Sequence, residues 1–289
     1  MKNNLFALIF LISFSTLAQV KGVVKDSVTG NPIPYVTISV ENENLGTTSE
    51  ENGEYLIHTS GKSRNLIFSS LGFEKKKVAI SKTAQVFLRP VDFQLEEVVV
   101  QNRKETKRIE IGQTDGGILE AFENGARIDV KFFPYSKSYR KTKFIKKVSI
   151  KTDSQIEASF KIHFYNVDAN GYPGAELLNR DFIVTVGRGN LRTTFDVTKF
   201  NLVMPKSGIF VGFEKMMIEK NKVEKIIIDK ETKVTQTKRI YAPMILYKWV
   251  ARDFVFTYSG GKWNRQTNPE GSGDKMMVNE PAINLILTN

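Results

Sequence analysis

The 289-residue chain is 41% hydrophobic and 25% charged, which supports two cored domains and excludes a globally disordered chain. It has no cysteine, so disulfides, thiolate metal sites and a lipid-modified N-terminal cysteine are excluded. Its formal charge of +11 can attract polyanions, or be no more than a solvated basic surface.

The first 19 residues read as a secretion signal. Lys2 supplies a short positive start, Leu5 to Leu17 an apolar run, and Thr16-Leu17-Ala18 the small residues of a cleavage site after Ala18. The apolar run is shorter than the ~20 residues a spanning helix needs. The mature chain, near +10 once Lys2 is removed, is therefore expected outside the cytoplasm, in the periplasm, on the outer-membrane surface or beyond it. Its membrane association is expected to be peripheral. For an exported protein the relevant polyanions are envelope polymers, and no nucleic-acid partner is expected.

Residues 20–90 alternate strand and turn. Val20 to Lys25 is a short strand, and Asp26-Ser27-Val28-Thr29-Gly30-Asn31-Pro32 has turn chemistry. Tyr35 to Val40 places Val36, Ile38 and Val40 on one face. Leu45 to Thr48, Tyr55 to Ile57 behind an Asn52-Gly53 turn, Leu66 to Ser70, Lys75 to Ile80 and Gln85 to Leu88 complete six or seven strands of an antiparallel sandwich. The residues Gly22, Asp26, Gly30, Pro32 and Val36, then Gly46, Asn52, Gly53 and Tyr55, then Gly72 and Phe73 form three motifs in order. This stretch resembles the carboxypeptidase-regulatory-like domain, a transthyretin-like β-sandwich of exported Bacteroidetes proteins. The resemblance implies turn and core roles for these residues and no peptidase activity.

Residues 91–125 read as junction and linker. Leu95 to Val100 resembles the segment that follows this domain in TonB-dependent outer-membrane receptors, although too few residues remain for a receptor barrel. Residues 126–289 return to a β pattern. Lys143 to Lys151, Ala158 to Phe164, Phe182 to Val186, Thr193 to Val197, Ile209 to Phe213, Ile226 to Ile228, Ile245 to Val250, Phe254 to Tyr258 and Ala282 to Leu287 are expected strands. In the second of these, Ala158, Phe160, Ile162 and Phe164 share one face, with Ser159, Lys161, His163 and Tyr165 on the other. Many strands and almost no helical periodicity predict a second, larger sandwich, jelly-roll-like in form. F-Y-N-V-D-A-N-G-Y-P-G and G-I-F-V-G-F-E resemble jelly-roll accessory domains of Bacteroidetes surface proteins.

Catalytic signatures are sparse. His58 and His163 each stand alone on a strand pattern without zinc-ligand spacing, and no G-x-S-x-G occurs. A carboxylate pair set by three-dimensional separation stays open. Asp168 and Asn170 in D-A-N-G offer oxygen ligands for calcium, but the same residues form a common turn. The run 136–147 carries Lys137, Arg140, Lys141, Lys143, Lys146 and Lys147, suited to phosphate or acidic sugar, or to a solvated strand edge. Trp249, Trp263, Tyr247 and Tyr258 are either stacking faces for a sugar ring or buried sandwich aromatics.

The expectation is an all-β, non-enzymatic exported envelope protein without a cofactor, acting as an accessory or binding module for an envelope protein or an acidic glycan. The alternatives are a hydrolase of surface polymers and an accessory part of a TonB-type uptake system. Oligomeric state is left open.

Overall fold

The computed structural model describes residues 18–91, 105–112, 119–121, 125–228, 235–267 and 275–289. The proposed secretion signal up to residue 17, the Leu95–Val100 segment and Gln101–Lys104 lie outside the described residues.

The first sandwich has seven strands: β1 Ala18–Asp26, β2 Thr37–Val40, β3 Gly46–Thr48, β4 Glu54–Thr59, β5 Asn65–Ser69, β6 Lys76–Ala79 and β7 Gln85–Leu88. One sheet has the order β4-β1-β7 and the other β3-β2-β5-β6. β1 and β7 run parallel, with Val24 opposite Val86. Strict alternation drives the strands together. In β4, Tyr55, Ile57 and Thr59 point inward and are buried, while Glu54, Leu56 and His58 face out. The inward residues pack with Val24, Val36, Ile38, Leu66, Phe68 and Leu88 into one core.

Two glycines make this geometry possible. Gly53 sits at φ +76 in the Asn52-Gly53 turn, and a Cβ there would lie 2.7 Å from the Val24 carbonyl. At Gly22 a Cβ would lie 2.1 Å from the Thr83 carbonyl, which instead accepts the Tyr55 hydroxyl at 2.6 Å.

The second unit continues with β8 Arg108–Ile111, β9 Leu119–Ala121, β10 Ile128–Phe133, β11 Phe144–Ser154 and β12 Ala158–Val167. Next come β13 Pro173–Glu176, β14 Phe182–Val186, β15 Gly189–Asp196, β16 Ile209–Lys215, β17 Lys222–Ile228 and β18 Thr235–Tyr241. The chain ends with β19 Met244–Arg252, β20 Val255–Ser259, β21 Lys262–Gln266, β22 Met276–Pro281 and β23 Ile283–Thr288. One sheet has the order β13-β12-β16-β10-β20-β21, with β14 also paired to β12. The facing sheet has the order β22-β19-β11-β23-β8, with β15 also on β11 and β9 on β19. Strands β17 and β18 form a separate hairpin. β8, within the stretch expected to be junction, pairs with β23 from Ile111 opposite Leu285 to Arg108 opposite Thr288.

Between the two large sheets lies a core that includes Phe160, Ile162, Phe164, Val211, Phe213, Ile150, Ile283 and Leu285. Phe160 is fully buried and meets Phe213 at 5.1 Å between ring centroids. The opposite face of the β12 sheet is covered too. There β2, β3, β5 and their loops dock onto it, so all of Ala158–Tyr165 is buried. Docking is polar at its margins. Met217 N–H donates to Thr48 Oγ1 at 3.0 Å, Glu219 N–H to Glu50 Oε1 at 2.8 Å, and Asn42 N–H to the Gly260 carbonyl at 3.0 Å.

Phe160→Ala is expected to destabilise the protein by about 3–5 kcal/mol, because it removes a ring at the centre of a close-packed core. Urea denaturation followed by tryptophan fluorescence measures this; a loss below about 1 kcal/mol would contradict the packing described.

Candidate functional site

The site grows from the polar face of β12. Because successive strand side chains alternate, burying Phe160, Ile162 and Phe164 in the core forces Lys161, His163 and Tyr165 to the other side. There they meet the first sandwich rather than water. His163 is opposite Gly212 across β12–β16, and Lys161 is opposite Glu214. On the other flank, β13 brings Glu176 opposite Tyr165.

His163 is clamped between two carboxylates. Its Nδ1 lies 3.0 Å from Glu176 Oε2 and its Nε2 lies 2.8 Å from Glu214 Oε2. Burial disfavours the imidazolium. The charges and hydrogen bonds of Glu176 and Glu214 outweigh it and raise the pKa to about 10. Burial likewise opposes ionisation of Glu214, but Lys161, His163 and Thr37 lower its pKa to about 2. Thr37 reaches Glu214 Oε1 from β2 of the first sandwich. Glu176 Oε1 accepts the Phe164 N–H at 2.6 Å, which holds the carboxylate in place.

Lys161 is almost completely buried. Its Nζ lies 2.9 Å from Asp181 Oδ2 and donates to the Tyr35 carbonyl at 2.7 Å. Tyr35 adopts φ +56, a region that bulky residues rarely enter, and in this conformation its carbonyl meets the buried ammonium. Despite burial, Asp181 and Glu214 keep the Lys161 pKa above its ordinary value.

This cluster forms the floor of a cleft of about 290 Å³ between the two sandwiches. One wall is Thr37, Ser39, Ser69 and Ser70 with the turn Leu71-Gly72-Phe73; the other is Tyr165, Tyr258 and Trp263. Trp263 stands edge-on to both Tyr165 and Tyr258, each at 5.2 Å. Lys75 closes one side, 4.9 Å above the Tyr258 ring and 3.1 Å from the Gly261 carbonyl.

Chemically, His163 is a fixed imidazolium at neutral pH. Both ring nitrogens are engaged, so it has no lone pair with which to act as a general base. The cluster pairs its own charges and, through Thr37 and the Tyr35 carbonyl, hydrogen-bonds to the first sandwich.

The residues expected from sequence are dispersed. His58 is exposed on the outer face of β4. Asp168 Oδ1 accepts the backbone N–H of Asn170 and of Tyr172, each at 2.8 Å, which fastens the β12–β13 turn. Among the described residues, no group of three or more histidine, aspartate or glutamate side chains is placed to hold a metal ion. Lys137, Arg140 and Lys141 lie on a short 3-10 turn, Lys137–Lys141, and are exposed, as is Lys143. Lys146 and Lys147 are half-buried on β11, where Lys146 pairs with Glu105. β11 is flanked on both sides by β23 and β15, so these two lysines do not guard a strand edge. Tyr247 is buried and donates to Asp129 Oδ2 at 2.7 Å, whereas Trp249 is 58% exposed. Only Tyr258 and Trp263 of the four expected aromatics reach the cleft. Sequence reasoning missed the roles of Lys161, Glu176, Asp181 and Glu214. The available signal was the polar side of β12 and a single glutamate, Glu214, directly after the apolar Ile209–Phe213 run.

The fold and cleft define an all-β protein of two docked sandwiches with a charged seam. Residues 20–100 match the CarboxypepD_reg-like domain family, so the first sandwich is a domain of that class. The chain is also 31% identical over 126 residues to TonB-dependent receptor P3 of Formosa agariphila. That match covers 42% of this chain and 13% of the receptor, so the chain spans a small fraction of the relative's length. No solved structure matches the chain.

His163→Gln leaves two buried carboxylates without their shared cation and is expected to cost about 3–5 kcal/mol in urea denaturation. The pH dependence follows from the shifts. The His163 contribution is complete below about 6.5 and lost as pH rises through about 10; that of Glu214 is complete above 4.5 and lost as pH falls through about 2. Together they are largest between pH 4.5 and 6.5. His163→Gln should flatten the alkaline limb of a stability–pH curve; an unchanged limb would contradict the clamp.

Proposed function

We propose that this protein is a non-enzymatic, exported module of a Bacteroidetes-type cell envelope, working beside a TonB-type outer-membrane uptake system and binding an envelope protein or glycan. The observation that carries the reading is the CarboxypepD_reg-like domain at residues 20–100, taken with the partial similarity to a TonB-dependent receptor. The geometry supports it. The one buried histidine in the cleft is locked in a salt-bridged clamp that engages both ring nitrogens, and the cleft is lined by hydroxyl, charged and aromatic side chains. Among the described residues no helix is long and apolar enough to cross a membrane.

The test is cell fractionation with affinity capture of the tagged full chain. Enrichment in the outer-membrane fraction, co-purification of a TonB-dependent receptor and a mature N-terminus at Gln19 are expected. A cytoplasmic, unprocessed protein would overturn the reading.

A second contact is assigned to the basic turn, because Lys137, Arg140, Lys141 and Lys143 are exposed and make no ion pair among the described residues. Replacing all four by glutamine should weaken retention on an acidic polysaccharide column and lower the salt needed for elution, with thermal stability unchanged. Unaltered elution would remove the turn from polymer binding.

A further inference from the structure

We propose that the cleft between the two sandwiches is a binding site for a neutral sugar ring. This deepens the reading of the protein as an envelope binding module, by naming the ligand class of that cleft.

Charge in the cleft is balanced. Lys75, Lys161 and imidazolium His163 face Glu176, Glu214 and Asp181, so three cations meet three carboxylates. A charged ligand would lose its hydration and find no net opposite charge in return. A neutral polyol meets no such penalty, and it finds both donors and acceptors.

Several polar groups of the cleft also remain unspent. The Lys161 ammonium has three N–H donors, and the described protein occupies two of them, with Asp181 Oδ2 and the Tyr35 carbonyl. Asp181 keeps its other carboxylate oxygen. The hydroxyls of Ser39, Ser69 and Ser70 line the cleft and, among the described residues, have no hydrogen-bond partner. Their oxygens are not sealed from the cleft. Hydroxyl groups that can both donate and accept match sugar hydroxyls, which do the same.

The shape of the cleft fits a ring as well. The pyranose C–H face requires an apolar surface beside the polar one. The cleft supplies Trp263, Tyr258 and Tyr165 opposite the serines, with Phe73 on the serine side. Its volume of about 290 Å³ is at the small end of ligand sites, suited to a single ring with its neighbours at the mouth.

The experiment is titration calorimetry on the purified full chain, at low and high salt. The probes are neutral hexoses and their disaccharides, the matching uronates and the matching hexosamines. At least one neutral sugar should saturate the protein with salt-insensitive affinity. Ser70→Ala should weaken binding about three- to tenfold, and Trp263→Ala about tenfold or more. Both side chains are outside the two sandwich cores, and a thermal midpoint near that of the unaltered protein certifies folding for each. Binding by uronates or hexosamines alone, absence of any neutral-sugar binding, or neutral-sugar binding untouched by both substitutions would overturn the proposal. Because the titration uses purified protein, its failure leaves the envelope assignment, tested by fractionation, standing or falling by itself.

Discussion

The interaction on which the molecule depends is a proton held where water is nearly absent. His163 sits between Glu176 and Glu214, and Lys161 sits between Asp181 and the carbonyl of Tyr35. Moving any one of these charges from water into a protein interior costs several kcal/mol, and here each is offset only by its neighbours. The cluster is therefore cooperative. It also has directional demands that an apolar seam would not make. Thr37 must present its hydroxyl to Glu214, and Tyr35 must hold a left-handed backbone for its carbonyl to face Lys161. A hydrophobic seam of equal area would be comparably stable but would tolerate sliding. The ion pairs all lie within the second sandwich; the hydrogen bonds they position, Thr37 to Glu214 and Lys161 to the Tyr35 carbonyl, are what specify one orientation of the first sandwich on the second.

That orientation creates the cleft. The outer face of the β12 sheet carries a band of aromatic side chains that runs from Tyr165, Tyr258 and Trp263 to Phe256, Phe210, Phe132 and Phe254. The first sandwich is docked over the Tyr165 end of this band and leaves space between Trp263 and the Ser69–Phe73 segment. Gly260 and Gly261 make the approach possible. A Cβ on Gly261 would lie 2.1 Å from Ile67 Cδ1, and one on Gly260 2.9 Å from the Glu43 amide nitrogen. The Ser259-Gly260-Gly261 hairpin thus serves as a contact point for the first sandwich as well as a turn.

How much of this could be read from the chain alone depends on the distance over which each feature is encoded. The first sandwich is encoded locally. Its turns carry their own chemistry, as where Asp26 Oδ1 accepts the Val28 N–H at 2.8 Å and Gly30 takes φ +72, and each of the seven expected strands overlaps an observed one. In the second sandwich, Phe182–Val186 is a strand with the expected limits because its apolar alternation stands between clear breaks. Strand β8 escaped because Arg-Ile-Glu-Ile is short and polar, and is held by pairing with β23, which lies far along the chain. The cleft is non-local throughout. Glu176 and Glu214 reach His163 from 13 and 51 residues away, and Thr37 reaches Glu214 across 177. Alternation correctly put Lys161 and His163 on one face of β12, but nothing in the local pattern says that another domain covers that face.

The same consideration bears on what a CarboxypepD_reg-like domain contributes. Its sequence motifs are turn and core residues, which account for a sandwich that folds and say nothing of a ligand. In this chain the domain faces the cleft with the sheet β3-β2-β5-β6, whose Thr37, Ser39 and Ser69 side chains point away from its own core. Those residues are small and hydroxylated. A large or charged residue at Ser39 or Ser69 would fill the cleft or upset its charge balance, and a large apolar residue at Thr37 would leave Glu214 with one donor fewer. The chemistry of the site is thus divided: the second sandwich supplies charge and aromatic surface, and the first supplies hydroxyls and closure. Neither sandwich holds the full set of groups alone, so the hydrogen bonds that fix their orientation, made to a charged cluster of the second sandwich, are also what assembles the site.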